Sequence, residues 1–412
     1  MNVSPEIDGL IWQAQLRKTP TGSPKPIMSN AAVALREAPE WQGVIGHNRF
    51  AYQTMMTAPP PWMPYPNGTW QDQAWTSGDD LRTTEWLQLQ NILVSSEVAA
   101  KAVELVAAER SFHPVRDYLG GLTWDGKPRV DGWAVDFLGA ADSDYIQTVS
   151  RCALIAAVAR IYEPGCKADC VPILEGVQGA GKSTLAKAMF DPWFTDELAD
   201  LGSKDSAMQT AGVWCIEIAE LDAMTRGEVS KTKAFITRTT DRFRPPYGAR
   251  LIEAPRSCVF WGTTNSQGYL KDETGGRRFW PIKCGKLNIA GLRANRDQLW
   301  AEAVHLYRAN VAWWFVNPNV QREAEAAQGD RYQTDPWDDP IDLHLSMAAS
   351  VSVPGLLAML GVATERQTQA DATRVARMLT SRGWVRFQVR EGGKRSWRYR
   401  RADAPEEAPS LF

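Results

Sequence analysis

Apolar positions in this chain change their spacing along its length, and the changes predict its elements. Between Asp80 and Arg110, Trp86, Leu87, Leu89, Ile92, Val94, Val98 and Val103 recur at near-helical spacing. A further helix is predicted over 145–162, ended by Pro164 and Gly165. Short apolar runs follow at 171–174, 213–218 and 258–262, separated by helical stretches. That alternation predicts an α/β fold with a parallel sheet. Helical spacing returns at 296–307, and 333–340 reads as an acidic, proline-broken linker.

Beyond the linker, 353–360 and 371–381 read as helices. Residues 384–390 and 396–400 then alternate apolar with polar about a Glu-Gly-Gly-Lys turn, which predicts a β-hairpin. Helices followed by a basic hairpin suggest a winged helix, with Arg374, Arg377, Lys394 and Arg395 as candidate DNA contacts. The expected domains are a mainly helical N-terminal domain (1–165), an α/β core with a helical segment (166–332) and a winged-helix-like domain (341–401). The proline-rich stretch 58–68 excludes helix and is expected to be a loop pinned to its own domain.

Composition narrows the class. With 412 residues the chain holds several domains, and a formal charge of −2 gives no global pull toward nucleic acid. Any DNA contact must then come from local basic patches. The six cysteines form no Cys-x-x-Cys pair and Cys166 and Cys170 lack companions, so reduced packing thiols are expected rather than zinc. No basic-then-apolar leader opens the chain, and no run approaches the roughly 20 apolar residues of a membrane helix. A soluble, cytoplasmic protein without membrane contact is expected.

The most specific chemistry lies in Gly176-Val-Gln178-Gly179-Ala180-Gly181-Lys182-Ser183-Thr184, between an apolar strand and a helix pattern. Such a loop curls backbone N–H groups around phosphate and adds the positive end of a helix. Lys182 would reach the β- and γ-phosphates of ATP, and Ser183 would hold Mg²⁺. The second predicted strand carries Glu217 and Glu220, which reach one site only if the strand ends between them. Glu220 is expected to be the water-activating base, with Glu217 near the metal. Asn265 follows the third strand and suits a γ-phosphate sensor; Arg277 and Arg278 suit an arginine finger, of the kind a neighbouring subunit often supplies. Between the second and third strands, Lys231, Lys233, Arg238, Arg242, Arg244 and Arg250 interleave with Phe235, Phe243 and Tyr247. Cations for phosphates and rings for bases are what a single-strand contact needs, although Asp241 would neutralise part of the patch.

In this order the motifs resemble the virulence-associated protein E family, P-loop ATPases of phages and genomic islands that are similar to superfamily-three helicases. The resemblance spans about 110–305. It implies an AAA+-like core and a ring, usually hexameric, with ATP between subunits. It further implies a DNA-gripping hairpin at 237–247, with Arg242 and Arg244 as grips, Asn265 as sensor and Arg277 or Arg278 as finger. Ala219 before Glu220 departs from the family's paired acids and leaves the role of Glu217 open. The function expected is a DNA helicase in replication of a phage or mobile element, partnered by single-stranded and duplex DNA and by a primase or other replication protein. The N-terminal part shows no convincing primase acidic cluster, so a built-in primase is not expected. A DNA-dependent ATPase that loads another factor, or a winged-helix regulator with nucleotide-controlled assembly, are the alternatives.

Overall fold

The computed structural model describes residues 12–63, 69–197, 204–221, 224–244, 250–266, 268–270, 276–331, 336–391 and 394–402. The chain divides into two compact units, Met1–Tyr332 and Gln333–Phe412.

The first unit opens with α1 (Met28–Glu37), β1 (Ile45–Asn48), β2 (Gln53–Met56), β3 (Gln73–Ala74), α2 (Ser77–Leu89), α3 (Ser96–Glu109) and β4 (Ser111–Phe112). Its four strands form a sheet in the order β3-β2-β1-β4, where the sequence pattern predicts mainly helix. The helical stretch after Asp80 is two helices rather than one. Asn91 adopts a left-handed φ of 60°, and the Ser95 hydroxyl accepts from Val98 N to start the second. Trp41 is fully buried among Trp62, Trp75 and Trp86. Ala58, Trp62 and Met63 pack on the same core, which pins the proline-rich stretch to its own domain; 64–68 lie outside the described residues.

Next come α4 (Pro114–Gly121), α5 (Trp133–Leu138) and α6 (Asp144–Tyr162), then the nucleus of the unit. It comprises β5 (Val171–Glu175), α7 (Lys182–Phe190), β6 (Phe194–Thr195), α8 (Lys204–Met208), β7 (Cys215–Ile218), α9 (Arg226–Ile236), β8 (Thr240–Phe243), β9 (Ile252–Pro255), β10 (Val259–Thr264), β11 (Phe279–Lys283), α10 (Ile289–Arg308) and α11 (Pro318–Gly329). Five strands form one sheet in the order β11-β5-β10-β7-β6, and every pairing is parallel. Each residue of β5, β7 and β10 is buried, as expected of strands covered on both faces. One side packs Leu174, Trp261 and Ile282 with Val158, Leu185 and Trp300. The other packs Ile173, Ile216 and Phe260 with Phe235 and Ile236. A Cβ on Gly262 would lie 2.4 Å from Ile173 Cδ1, so this close approach of β10 and β5 needs glycine.

The second unit holds α12 (Asp338–Met347), β12 (Ser350–Val351), α13 (Val353–Met359), α14 (Gln369–Ser381), β13 (Trp384–Glu391) and β14 (Lys394–Arg401). An antiparallel sheet, β12-β14-β13, covers a core of Leu345, Leu356, Val375, Leu379, Trp384 and Tyr399. Arg382 ties the end of α14 to Asp338 and Asp342, at 2.7 and 2.5 Å. Among the described residues, no helix is long and apolar enough to cross a membrane.

Candidate functional site

The glycine loop leaves the C-terminal end of β5 and enters α7. Gly179 and Gly181 turn it with φ of 77° and 95°, backbone that other residues rarely adopt. Lys182 is buried, and its ammonium donates to Gly176 O (2.7 Å), Val177 O (2.9 Å) and Asn265 Oδ1 (3.0 Å). Loop lysine and strand-end amide, 83 positions apart, thus meet. The loop's first residue follows Glu175, which is buried and held by Arg331 through two bonds of 2.6 and 2.8 Å. Tyr269 donates to the same carboxylate at 2.9 Å, and burial beside that charge pushes the tyrosine pKa well up. This pairing fixes the strand end from which the loop springs.

Glu217 faces the loop from β7, two strands away from β5. Its Oε1 accepts from Ser183 Oγ and Thr263 Oγ1, each at 2.6 Å. Its Oε2 is buried and has no hydrogen-bond partner among the described residues. A bare buried carboxylate oxygen is costly unless a cation satisfies it. With the Ser183 hydroxyl it makes an all-oxygen pair suited to a hard cation. Among the described residues no group of three His, Cys, Asp or Glu that could hold a metal ion is present.

β7 ends at Ile218, between the two acids. Glu220 is exposed and sits at a φ of 52°, strained for a side-chain-bearing residue. Leu221 N reaches Thr263 O at 3.5 Å and ties this turn to β10.

Arg277 is exposed, and Arg278 Nε lies 3.4 Å from Asp169 Oδ2. Their position matters more than this pairing. β11 pairs parallel with β5 from Phe279↔Val171 to Lys283↔Glu175. The arginines therefore flank the start of the sheet, about 20 Å from the loop at its far end. Neither reaches the glycine loop of its own chain.

The basic region separates in space. Arg242 and Arg244 are exposed on a two-stranded antiparallel hairpin of β8 and β9, with Arg242 paired to Glu253 across it. Asp241 does not neutralise them. It turns inward and forms a fully buried two-bond pair with Arg256, at 2.8 and 2.6 Å. Lys233, expected with the DNA contacts, is buried on α9 with its ammonium 5.8 Å from the Phe279 ring centre. It is not presented to a ligand, and that expectation is corrected. Tyr247 lies outside the described residues. In the second unit Arg377 and Arg395 are exposed, Arg374 stacks on Trp337 at 3.8 Å, and Lys394 lies at the start of β14. Sequence reasoning missed Thr263, Tyr269, Arg256 and Arg331, whose partners are distant in the chain.

Fold and site define a mixed α/β protein with a parallel sheet, whose glycine loop, lysine and buried acid meet at the strands' C-terminal edge. The chain belongs to the virulence-associated protein E-like domain family, whose model matches residues 119–333. The motif order implied that family. A search of curated proteins finds no match. Solved structures similar to it include the apo structure of the NrS-1 C-terminal region (305–718), at 13% identity and TM-score 0.47, covering 86% of this chain and 95% of that one. The A form apo structure of the same region aligns at 12% and 0.45, covering 87% and 95%. Likeness this distant carries no functional argument.

Proposed function

We propose that this protein is an ATP-driven motor on single-stranded DNA, a helicase serving replication of a phage or other mobile element. The observation that carries the reading is the meeting of Lys182, Ser183, Glu217 and Asn265 at one glycine loop. Backbone N–H groups of Gly176, Gln178, Gly179, Ala180 and Gly181, with Lys182 to Thr184 opening α7, would cradle the phosphates of ATP. Ser183 and Glu217 would hold Mg²⁺, which when bound offsets charge on the phosphates. Glu220, past the strand end, would take the proton of the attacking water, and Asn265 would orient that water against the γ-phosphate.

Arg277 or Arg278 would act on the nucleotide of a neighbouring subunit, because their own loop is out of reach. That arrangement calls for a head-to-tail ring, and a hexamer is the proposed form. Within this AAA+-like reading, Arg242 and Arg244 on the β8–β9 hairpin would grip one strand. The second unit is read as a winged helix that contacts DNA.

Strand displacement on a forked DNA with ATP, with Lys182→Ala as control, tests the proposal. ATP-dependent unwinding that the variant lacks is the expected result. DNA-stimulated ATP hydrolysis without displacement would replace the helicase by a loader of another replication factor. Neither binding nor hydrolysis of ATP would end the nucleotide reading altogether.

A further inference from the structure

The second unit carries a surface that the nucleotide site does not use. β13 and β14 pair antiparallel from Trp384↔Arg401 to Glu391↔Lys394. Opposed residues share a face. One face therefore holds Trp384, Arg386, Gln388 and Arg390 on β13 with Tyr399, Trp397 and Arg395 on β14. At its base Trp384 and Tyr399 are buried in the unit's core. Toward its tip Arg386, Arg390, Arg395 and Trp397 are exposed.

Charge is concentrated here. The two strands carry Arg386, Arg390, Lys394, Arg395, Arg398, Arg400 and Arg401 against Glu391 alone, in a chain of net charge −2. On the opposite face Arg398 donates to Ser350 O at 3.4 Å and Arg400 lies over Phe387, 5.1 Å from its centre. Arg398 thus ties the hairpin to β12, while the Arg400 contact lies within the hairpin. The tip cations of the first face point to solvent instead.

Trp397 is 49% exposed, a large apolar area to leave in water. It is nevertheless in contact with a neighbour. The Arg386 guanidinium, diagonally across the strand pair, lies 4.0 Å from the ring centre. A ring fixed in advance loses little freedom when a second flat group stacks on it. Cations beside an exposed, pre-ordered ring fit a strand whose bases are unstacked. Duplex DNA offers no free base face unless it is kinked open.

We infer that the tip of this hairpin is a binding platform for single-stranded DNA, with a base stacked on Trp397 and phosphates held by Arg390 and Arg395. The inference does not depend on the nucleotide site.

Fluorescence polarisation of the full chain with labelled oligo-dT, and with a duplex of equal length at the same salt, measures it. Trp397→Ala should weaken single-strand binding by about tenfold and duplex binding by less than about twofold. Trp397→Phe should restore most of the loss, since a stacking ring remains. The ring lies outside the unit's core, so both variants should fold. Photocrosslinking of an oligonucleotide carrying 5-bromodeoxyuridine should label the peptide containing Trp397. That site is thereby distinguished from the β8–β9 hairpin. No crosslink on that peptide, or equal loss on duplex and single strand in Trp397→Ala, would overturn the inference.

Discussion

Glu217 illustrates a conflict between folding and function within one side chain. Its Oε1 receives two hydroxyl bonds of 2.6 Å, while its Oε2 is buried and without a partner. A carboxylate oxygen so placed costs folding free energy that a bound cation would offset. Glu217→Gln removes the charge and keeps the acceptor facing Ser183 and Thr263. Without nucleotide its apparent Tm should rise by about 2 °C, measured by thermal melting in chelator. With Mg²⁺ and ATP the wild type should gain further stability by ligand linkage, and the variant should not. A variant that kept the full nucleotide-dependent rise would remove Glu217 from the metal site. Glu220 shows the complementary case. Its strained φ of 52° contributes nothing to folding, and strain of this kind gathers at working sites.

At the scale of an element, the β8–β9 hairpin separates anchor from contact by strict alternation. Asp241 faces inward to Arg256, with side-chain exposures of 2% and 0%, while its neighbour Arg242 faces outward and pairs with Glu253. Arg256 also donates to Phe235 O and lies over the rings of Phe235 and Phe260. Asp241→Ala strands a buried guanidinium and should destabilise the chain by about 3–5 kcal/mol in urea unfolding. Arg242→Ala breaks an exposed pair and should cost less than about 1 kcal/mol, while lowering single-strand affinity. Equal stability losses would mean that the alternation does not divide the labour. The same contrast explains what was legible in the sequence. Strands covered on both faces appear as largely apolar runs, so β5, β7 and β10 are legible within a few residues. The glycine loop is equally local. The sheet of β1 to β4 escaped because its strands are two to four residues long and mostly half-buried or exposed. Lys233 reads as solvated because its burial depends on packing with residues distant in the chain, Phe279 among them. Arg331 and Glu175 are 156 positions apart, and no periodicity links them.

At the scale of the molecule, the proposed assembly rests on the parallel sheet. All five strands point the same way, so glycine loop, Glu217, Glu220 and Asn265 gather at one edge and the arginines at the other. If the arginines serve the nucleotide, such a chain would complete its site only when a second copy docks head to tail. Glu220→Gln lacks the proposed base but retains the arginines, and a chain carrying Arg277→Ala with Arg278→Ala retains that base but lacks them. Each alone should bind ATP yet turn it over at least about a hundredfold more slowly than wild type. Mixed in equal amounts and allowed to reassemble, they create junctions in which an intact base meets an intact arginine. If subunits exchange at random, about a quarter of junctions are of this kind, and DNA-stimulated ATPase should return to about that share of wild type. A mixture no more active than its parts, with exchange verified by labelled subunits, would place the arginines in a structural role. The parallel register of β11 with β5 makes rescue the expected outcome, because no rearrangement within one chain brings both ends of a strand to the same nucleotide.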